Sequence, residues 1–551
     1  MQTIANAVDV QPQLPLPEAA QHLLVWPPLA QGASENSGLI TLADRLLERA
    51  AMRKSISVFA ALVVLVTLVS PVRAETRTIP ARALKADYEI LHQALVALHP
   101  GLLRYNTAMQ MDVHFQQLRD ALSHDQTLSD AYLRFSEFAA TIQCGHTYLN
   151  FSNQPVAVAR EVFSDALSVP FEFVWLNGRM VVTRNASTNA ALVPGTQILA
   201  IDGIATAEVL AKLLLVARAD GANEAKRIDY LQLSGREEIE AFDVYFPLYF
   251  PAKSPDLQLS VLAPGMTAPA TAVVQRVTAH ARRTAAPSAI HSGGDGRMAW
   301  HLSIKDSSTA VLTMPTWALY NSKRDWKADL TATFAQLSHQ PIQSLIIDLR
   351  GNEGGDAVGD EIVAHLVIHS LRKNDVTRRV RYRKIPDQLA PFLDTWDPSF
   401  KDWGDVAVPD DDGFYRLGAS ERSRTIQPLA PHFDGDVIVL VGAANSSATF
   451  EFAQLIQKNK LGRLIGQPTG GNLRGINGGA FFFLRLPNTG IEVDLPLIGI
   501  FPSVPMPNAG LVPDIPVLRT VDAIAAGTDL EMEKALGLAT VVAKPLPKPP
   551  R

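Results

Sequence analysis

The stretch "DVIVLVGAANSSATFEFAQLI", residues 436–456, decides how the chain is read. Asp436 opens a β-rich apolar segment through Gly442, which reads as a strand. Asn445, Ser446 and Ser447 follow, and from Ala448 the residues Phe450, Ala453, Leu455 and Ile456 lie mostly inward on a helix. A strand passing through a short turn into a helix is the repeating unit of an α/β layered domain. The turn also raises a chemical question. Serine at a helix start is usually a cap. On a sharp strand-to-helix turn it exposes its Oγ to the helix N-terminal field and can act as a nucleophile, with the N–H of Ala448 directed into the same space. Taken alone, the turn favours the cap.

A second turn of the same kind lies at 348–356, "DLRGNEGGD", after the apolar run "SLIIDL". Open α/β sheets place their sites at the C-terminal ends of strands. Gly351, Gly354 and Gly355 permit positive φ and close backbone approach, and the N–H groups of such a turn can face a developing oxyanion. Glycines alone favour a purely geometric role. Around these turns strand and helix alternate from residue 298: "STAVLTMPTW" as strand, 326–337 as helix, 357–371 as helix, and "GRLIG" as strand. "GGAFFFLRLPNTGIEVDLP" reads as a hairpin turning at 487–490, and a helical piece falls near 530–538. A polar, Asp- and Pro-rich insertion covers about 374–430.

Upstream, Leu84, Tyr88, Leu91, Leu95 and Leu98 are spaced four and three apart, one face of a helix ended by Pro100-Gly101. Further helices are expected over 113–122 and 128–142, so 76–150 reads as a helical region ending at "QCGHTYLNF". Residues 168–278 read as a β-rich module. "FEFVWLNGRMVVT" is a hairpin about Asn177-Gly178, "ILAI" is a strand closed by Asp202-Gly203, and "FDVYF" and "LQLSVLAP" look strand-like. Residues 281–297, small, polar and glycine-rich, read as a linker or long loop.

Composition bounds the function. The chain has 551 residues, enough for two or three domains, with 47% apolar and 19% charged residues, as in a globular protein. The net charge is −5 without a basic stripe, which argues against nucleic acid as a partner. Cys144 is the single cysteine, so neither an intrachain disulfide nor a cysteine-type zinc site exists. The segment "MRKSISVFAALVVLVTLVSPVRAET" from Met52 has a basic n-region, a short apolar run and a small-x-small site before Glu75, the layout of a secretory signal peptide over 52–74. Residues 1–51 are then expected to be a non-native upstream extension, and the protein to be periplasmic or secreted. It would meet a membrane only through the signal segment if that segment is uncleaved.

A serine needs a base, histidine or lysine. Of thirteen histidines, His146 has a distinctive setting, in "CGHT" between a helix and a strand. Four stretches stand in a recognisable order: "HPGLLRY" with "CGHT", "LVPGTQILAIDG", "LIIDLRGNEGGD", and "NSSATFEFAQLIQKNKLGRLIGQPTGG" with "GLVPDIPV". Together they resemble the carboxy-terminal-processing (tail-specific) serine peptidases, which share a catalytic core with tricorn protease, in the histidine-using branch. The resemblance spans roughly residues 84–518. It implies an α/β fold: a Clp/crotonase-like catalytic domain at 298–520, an N-terminal helical region at 76–150 carrying His146, a PDZ-like β-rich module at 168–278, and a C-terminal helix and Pro-rich tail at 521–551.

By motif position the resemblance makes Ser447 the nucleophile, His146 its base, and Ala448 with Gly354 or Gly355 the oxyanion donors. No cofactor or metal is implied. The partner is a polypeptide substrate, bound at its C-terminal end. Two departures stand out. Where many members carry a lysine base in "T-x-G-K-G", this chain reads "TGGNLRG" with Asn472, and Lys458 and Lys460 suit solvated surface roles. Where tricorn-like enzymes place a glutamate before "G-V-x-P-D", this chain has Pro507 and Asn508, leaving Asn508, Glu451, Glu492 and Asp494 as candidates for the third member. The expected activity is an exported serine endopeptidase. The alternatives are a non-catalytic ligand- or peptide-binding protein on the same scaffold and crotonase-type acyl chemistry on a thioester.

Overall fold

The computed structural model describes residues 77–286, 300–320, 322–373, 375–418 and 425–542. The signal-type segment, the stretch before it and the Pro-rich tail lie outside the described residues. Three helices come first: α1 (Ala81–Leu98), α2 (Ala108–Ala121) and α3 (Leu128–Thr141). The five α1 residues singled out by their spacing are all buried. α2 starts five residues before the expected 113 because Thr107 and Gln110 cap it reciprocally, satisfying two N–H groups that apolar periodicity does not register.

Strands β1 (Phe171–Leu176), β2 (Arg179–Asn185) and β3 (Gln197–Ile201) follow, then helices α4 (Thr206–Leu213), α5 (Glu224–Tyr230) and α6 (Ala241–Tyr249), then β4 (Asp256–Leu262) and β5 (Ala270–Gln275). The five strands follow chain order in one antiparallel sheet, with a sixth, two-residue strand, Ile204–Ala205, paired to β3. Asn177 and Gly178 turn the first hairpin with φ of 50° and 74°, the conformation a two-residue turn requires. "FDVYF" corrects the strand expectation, since it lies in α6. Phe242 and Phe246 stack at 4.8 Å one helical turn apart, and a short apolar run buried all round carries no period that separates helix from strand. The expected linker at 281–297 is also corrected at its start. Helix α7 (Ala279–Ala285) is capped by Thr278, and its Arg282 forms two hydrogen bonds to the buried Asp243 of α6.

The remaining described chain builds two six-stranded sheets and a two-stranded pair. Its strands and helices are β6 (His301–Ile304), β7 (Thr309–Thr313), α8 (Trp326–Ser338), β8 (Ser344–Asp348), α9 (Val358–Leu366), β9 (Val376–Val380), β10 (Leu393–Asp394), β11 (Ala407–Pro409), β12 (Tyr415–Leu417) and β13 (Asp436–Val441). Then come α10 (Ser447–Lys458), β14 (Arg463–Gly466), β15 (Asn477–Arg485), β16 (Glu492–Pro502), β17 (Ile515–Pro516), α11 (Val521–Ala526) and α12 (Leu530–Val542).

The first sheet has the order β17-β14-β13-β8-β7-β6, parallel except for β6. Alternate residues feed its two faces. Leu345, Ile347, Val437 and Val439 pack with Leu330, Phe334, Ile362 and Ile456 of α8–α10, while Ile346, Ile438 and Leu440 pack with Ala535 and Ala539 of α12. Burial on both faces is why these strands read as unbroken apolar runs.

The second sheet, β10-β15-β16-β9-β12-β11, is antiparallel, so part of the supposed insertion at 374–430 is sheet. α9 stops at Leu366 rather than 371. Val367 turns extended, and Leu371–Arg372 pairs with Thr425–Ile426 instead.

Helix α1 is fastened to the β15–β16 turn by one carboxylate. Asp87, fully buried, accepts hydrogen bonds from both N–H donors of Asn488 (3.0 and 2.8 Å) and from the Thr489 N–H and hydroxyl (2.8 and 2.7 Å). Removing the acceptor takes this partner from the buried Thr489 donors, at roughly 1–3 kcal/mol for a buried group. Asp87→Ala is therefore expected to lower unfolding free energy by about 2–3 kcal/mol, read as a fall in the urea midpoint.

Candidate active site

Three strand-ending turns converge at the C-terminal edge of the parallel sheet, held by buried amides. Asn445, fully buried after β13, donates to the carbonyls of Leu349 (2.7 Å) and Asn352 (2.9 Å) in the turn after β8. Its side-chain oxygen accepts from Gly442 N–H at 2.7 Å, and its backbone carbonyl accepts from Gly470 (2.7 Å) and Gly471 (3.0 Å) in the turn after β14. Asn352, also fully buried, donates to Met314 O at 2.8 Å and accepts from Gly354 N–H at 3.0 Å.

This framework fixes the two serines differently. Ser446 occupies the N-cap position of α10, yet its hydroxyl donates to Glu353 O at 3.0 Å and caps no helical N–H. Ser447 has φ of 49°, a left-handed conformation unusual for a residue with a side chain and costing of order 1–3 kcal/mol. Its hydroxyl has no hydrogen-bond partner among the described residues. Neither serine caps. Gly354 lies against this elbow at φ 104°. A Cβ there would stand 2.8 Å from Ser446 O, 2.9 Å from Ala448 N and 2.9 Å from Ser447 Cβ. The N–H of Gly354 is already engaged by Asn352. The neighbouring strand bridge to Trp317 uses the N–H of Asp356, so it leaves that of Gly355 out.

His146 reaches this edge from far upstream, on a loop fastened from several sides. His99 Nε2 meets Thr147 Oγ1 at 2.8 Å, and Asn477 bridges the loop's Cys144 Sγ (3.3 Å) to Arg104 (2.8 Å). The residues of "HPGLLRY" thus position "CGHT". From the β-rich part, Gly145 N–H donates to Asp220 at 3.0 Å, Arg218 donates to Gly145 O, and Gly221 N–H donates to Gln143 O at 2.9 Å.

A narrow crevice brings together His146, Arg218, Asp220, Lys226, Ser446 and Gly470. Ser447 is the next residue beyond its rim, and no hydrogen bond joins it to His146. The His146 Nδ1 is buried with no hydrogen-bond partner. Burial holds the imidazole below its ordinary pKa of 6.5, partly opposed by Asp220, so it is a neutral base at neutral pH.

The crevice is charged as well as narrow. Lys226, almost wholly buried, lies 2.6 Å from Glu353 and 3.2 Å from Ala444 O, and Arg218 lies 3.1 Å from Glu353. Burial would raise the Glu353 carboxyl, but Lys226 and Arg218 outweigh it and hold it at about 2. Arg218, Asp220 and Lys226 were not singled out in the sequence. Their signal is a charged stretch with a glycine and an asparagine, "RADGANEAK", which reads equally as a solvated loop.

The other candidates take structural places. Asn508 accepts from Asn472 at 2.7 Å and from Ala222 N–H at 3.1 Å, with no hydrogen bond to His146. Asn472 also donates to Asp220 O at 2.9 Å. Glu492 pairs with Arg485 at 3.0 Å, and Asp494 accepts from Asn150 (2.8 Å) and Asn153 (3.3 Å). Glu451 faces outward on α10. Lys458 ends α10, roughly 16 Å along the axis from Ser447 at 1.5 Å per residue, with Lys460 beyond it. Among the described residues no His/Cys/Asp/Glu group is arranged to hold a metal ion, and no helix is long and apolar enough to cross a membrane.

Residues 308–481 match the family described as Peptidase family S41. The fold is similar to that of mature CPAF complexed with lactacystin, at TM-score 0.59 and 14% identity over 84% of this chain and 98% of that one. Mature CPAF in a second structure gives TM-score 0.57 at 14% identity, over 84% and 97% of the two chains. Tricorn protease aligns at TM-score 0.35 and 13% identity over 84% of this chain and 37% of that one, a likeness too low to argue from. No curated protein matches the sequence. The family match falls on the strands and turns that carry Gly354 and Ser447, and the enzyme class is that of a serine-type peptidase. Gly354→Ala is expected to push the elbow and the Ala448 N–H out of place. The measurement is peptidase turnover beside a thermal melt, with at least a 100-fold fall in rate, the scale of a lost oxyanion donor.

Proposed function

We propose that the chain is an exported serine endopeptidase acting through an acyl-enzyme on Ser447. The observation that carries this reading is the elbow: a serine at positive φ, with an unengaged hydroxyl, between the N–H of Ala448 and a glycine that no larger residue can replace. In this reading His146 Nε2 takes the Oγ proton as Ser447 attacks the peptide carbonyl. The N–H groups of Ala448 and the glycine turn receive the oxyanion, a contribution of about 3–4 kcal/mol per donor. Of the two glycines, Gly355 is the better donor, since Gly354 N–H is engaged and Gly354 instead gives the elbow room. His146 then protonates the leaving amine, and water hydrolyses the ester. Hydrogen bonds of this kind commonly close only with substrate in place, which accommodates the open Ser447–His146 pair.

The substrate class follows from the enzyme class: polypeptides. The sheet that contains β1–β5 serves in this proposal as a PDZ-like module that takes a polypeptide's carboxyl end by strand addition. The parallel sheet with its helices serves as a Clp/crotonase-like core. Export rests on the signal layout at 52–74, and N-terminal mass spectrometry of exported protein is expected to begin at Glu75.

A fluorophosphonate probe tests the chemistry. Labelling is expected in the native chain and lost in Ser447→Ala and His146→Ala; folded native protein that takes no label is a binding protein instead. Because burial lowers the His146 pKa, the base stays neutral down to below pH 6.5. The acid limb of kcat/KM is therefore expected with its midpoint below 6.5, with loss of activity as pH falls through it.

A further inference from the structure

The proposed base lacks an acceptor for its second nitrogen, and the position to which the family resemblance points holds Asn508, whose oxygen is engaged elsewhere. We propose that Asp220, from the β-rich part of the chain, is the residue that orients His146 and balances its charge during catalysis. This assignment rests on the peptidase reading given above.

Two incomplete groups share the crevice. The His146 Nδ1 is buried and has no partner. Asp220 is 1% exposed, and its carboxylate accepts a single hydrogen bond, from Gly145 N–H at 3.0 Å, with no ion pair among the described residues. A buried carboxylate with one neutral donor is costly unless a cation completes it. The other carboxylate near the ring, Glu353, is held by Lys226 and Arg218. Asp220 is also fixed with respect to the ring. It is bonded to the residue before His146, Arg218 grips that residue's carbonyl, and Asn472 holds the Asp220 carbonyl at 2.9 Å. Asn472 and Asn508 therefore act as supports of the 220–222 turn, which gives both a role without chemistry.

In the reaction the Nδ1 proton stays on the ring and is donated to Asp220, leaving Nε2 free to accept the Ser447 proton. The imidazolium so formed is paired with the Asp220 carboxylate, and the proton then passes from Nε2 to the leaving amine. The charged groups facing the ring are Asp220, Arg218, Glu353 and Lys226, of which the two carboxylates favour the imidazolium and the two cations oppose it.

The test is Asp220→Asn in the full chain, because asparagine can still accept from Gly145 N–H while the charge is gone. A positioning role predicts a fall of roughly 10⁴-fold in fluorophosphonate labelling rate and kcat/KM, the scale seen when a triad aspartate becomes asparagine. It also predicts that the acid limb of residual activity moves to lower pH. A second readout is independent of activity: a downfield imidazole N–H proton resonance, expected in Ser447→Ala and absent in Ser447→Ala combined with Asp220→Asn. Labelling and a pH profile that survive Asp220→Asn, or an N–H resonance indifferent to it, overturn the assignment alone. A native chain that takes no label overturns the peptidase reading, and this assignment with it.

Discussion

The carboxamide of Asn445 is the constraint on which the site depends. Fully buried, it ties the turn after β13 to the turn after β8, while its backbone carbonyl collects the turn after β14. Polar groups in such a place must be matched completely, which gives the turns one mutual arrangement rather than several. The left-handed conformation of Ser447 persists because the surrounding bonds over-determine it. Thr449 adds to this, its hydroxyl lying within 2.8 Å of Ser446 O and 3.0 Å of Asn352 O.

The second feature is that the candidate site is composite. The parallel sheet supplies Ser447 and the glycine turn, the helical region supplies His146, and the β-rich part supplies Arg218, Asp220 and Lys226. Interlocking bonds at Gly145, Asn472 and Asn223 join these contributions, with Asn223 donating to Thr469 O and Gly471 O at 2.8 Å each. These bonds tie the β-rich part to the loop that carries His146. Glu353, paired with both Lys226 and Arg218, holds the glycine turn against the crevice.

Legibility followed the range of the interactions. Helix α1 and strands β8 and β13 were readable because periodicity and unbroken apolar runs are local consequences of which faces are buried. The hairpin at Asn177-Gly178 was readable because its turn demands positive φ at both residues. "FDVYF" was misread because a fully buried run carries no period. The strands within 374–430 were missed because a short, charged strand such as β9 owes its pairing to a distant partner, β16, rather than to its own composition.

By itself, the sequence determined the alternation of strands and helices, the two glycine- and serine-bearing turns at strand ends, and a histidine set between a helix and a strand. These are properties of residue type and short spacing. Only the tertiary structure decided that neither serine caps α10, that Ser447 sits in the strained elbow, that Gly354 gives room while its own N–H is engaged, and that Asp220 shares a crevice with His146. Each depends on atoms far apart along the chain meeting within hydrogen-bond distance. A charged turn such as "RADGANEAK" reads as solvated until folding shows which of its side chains are buried.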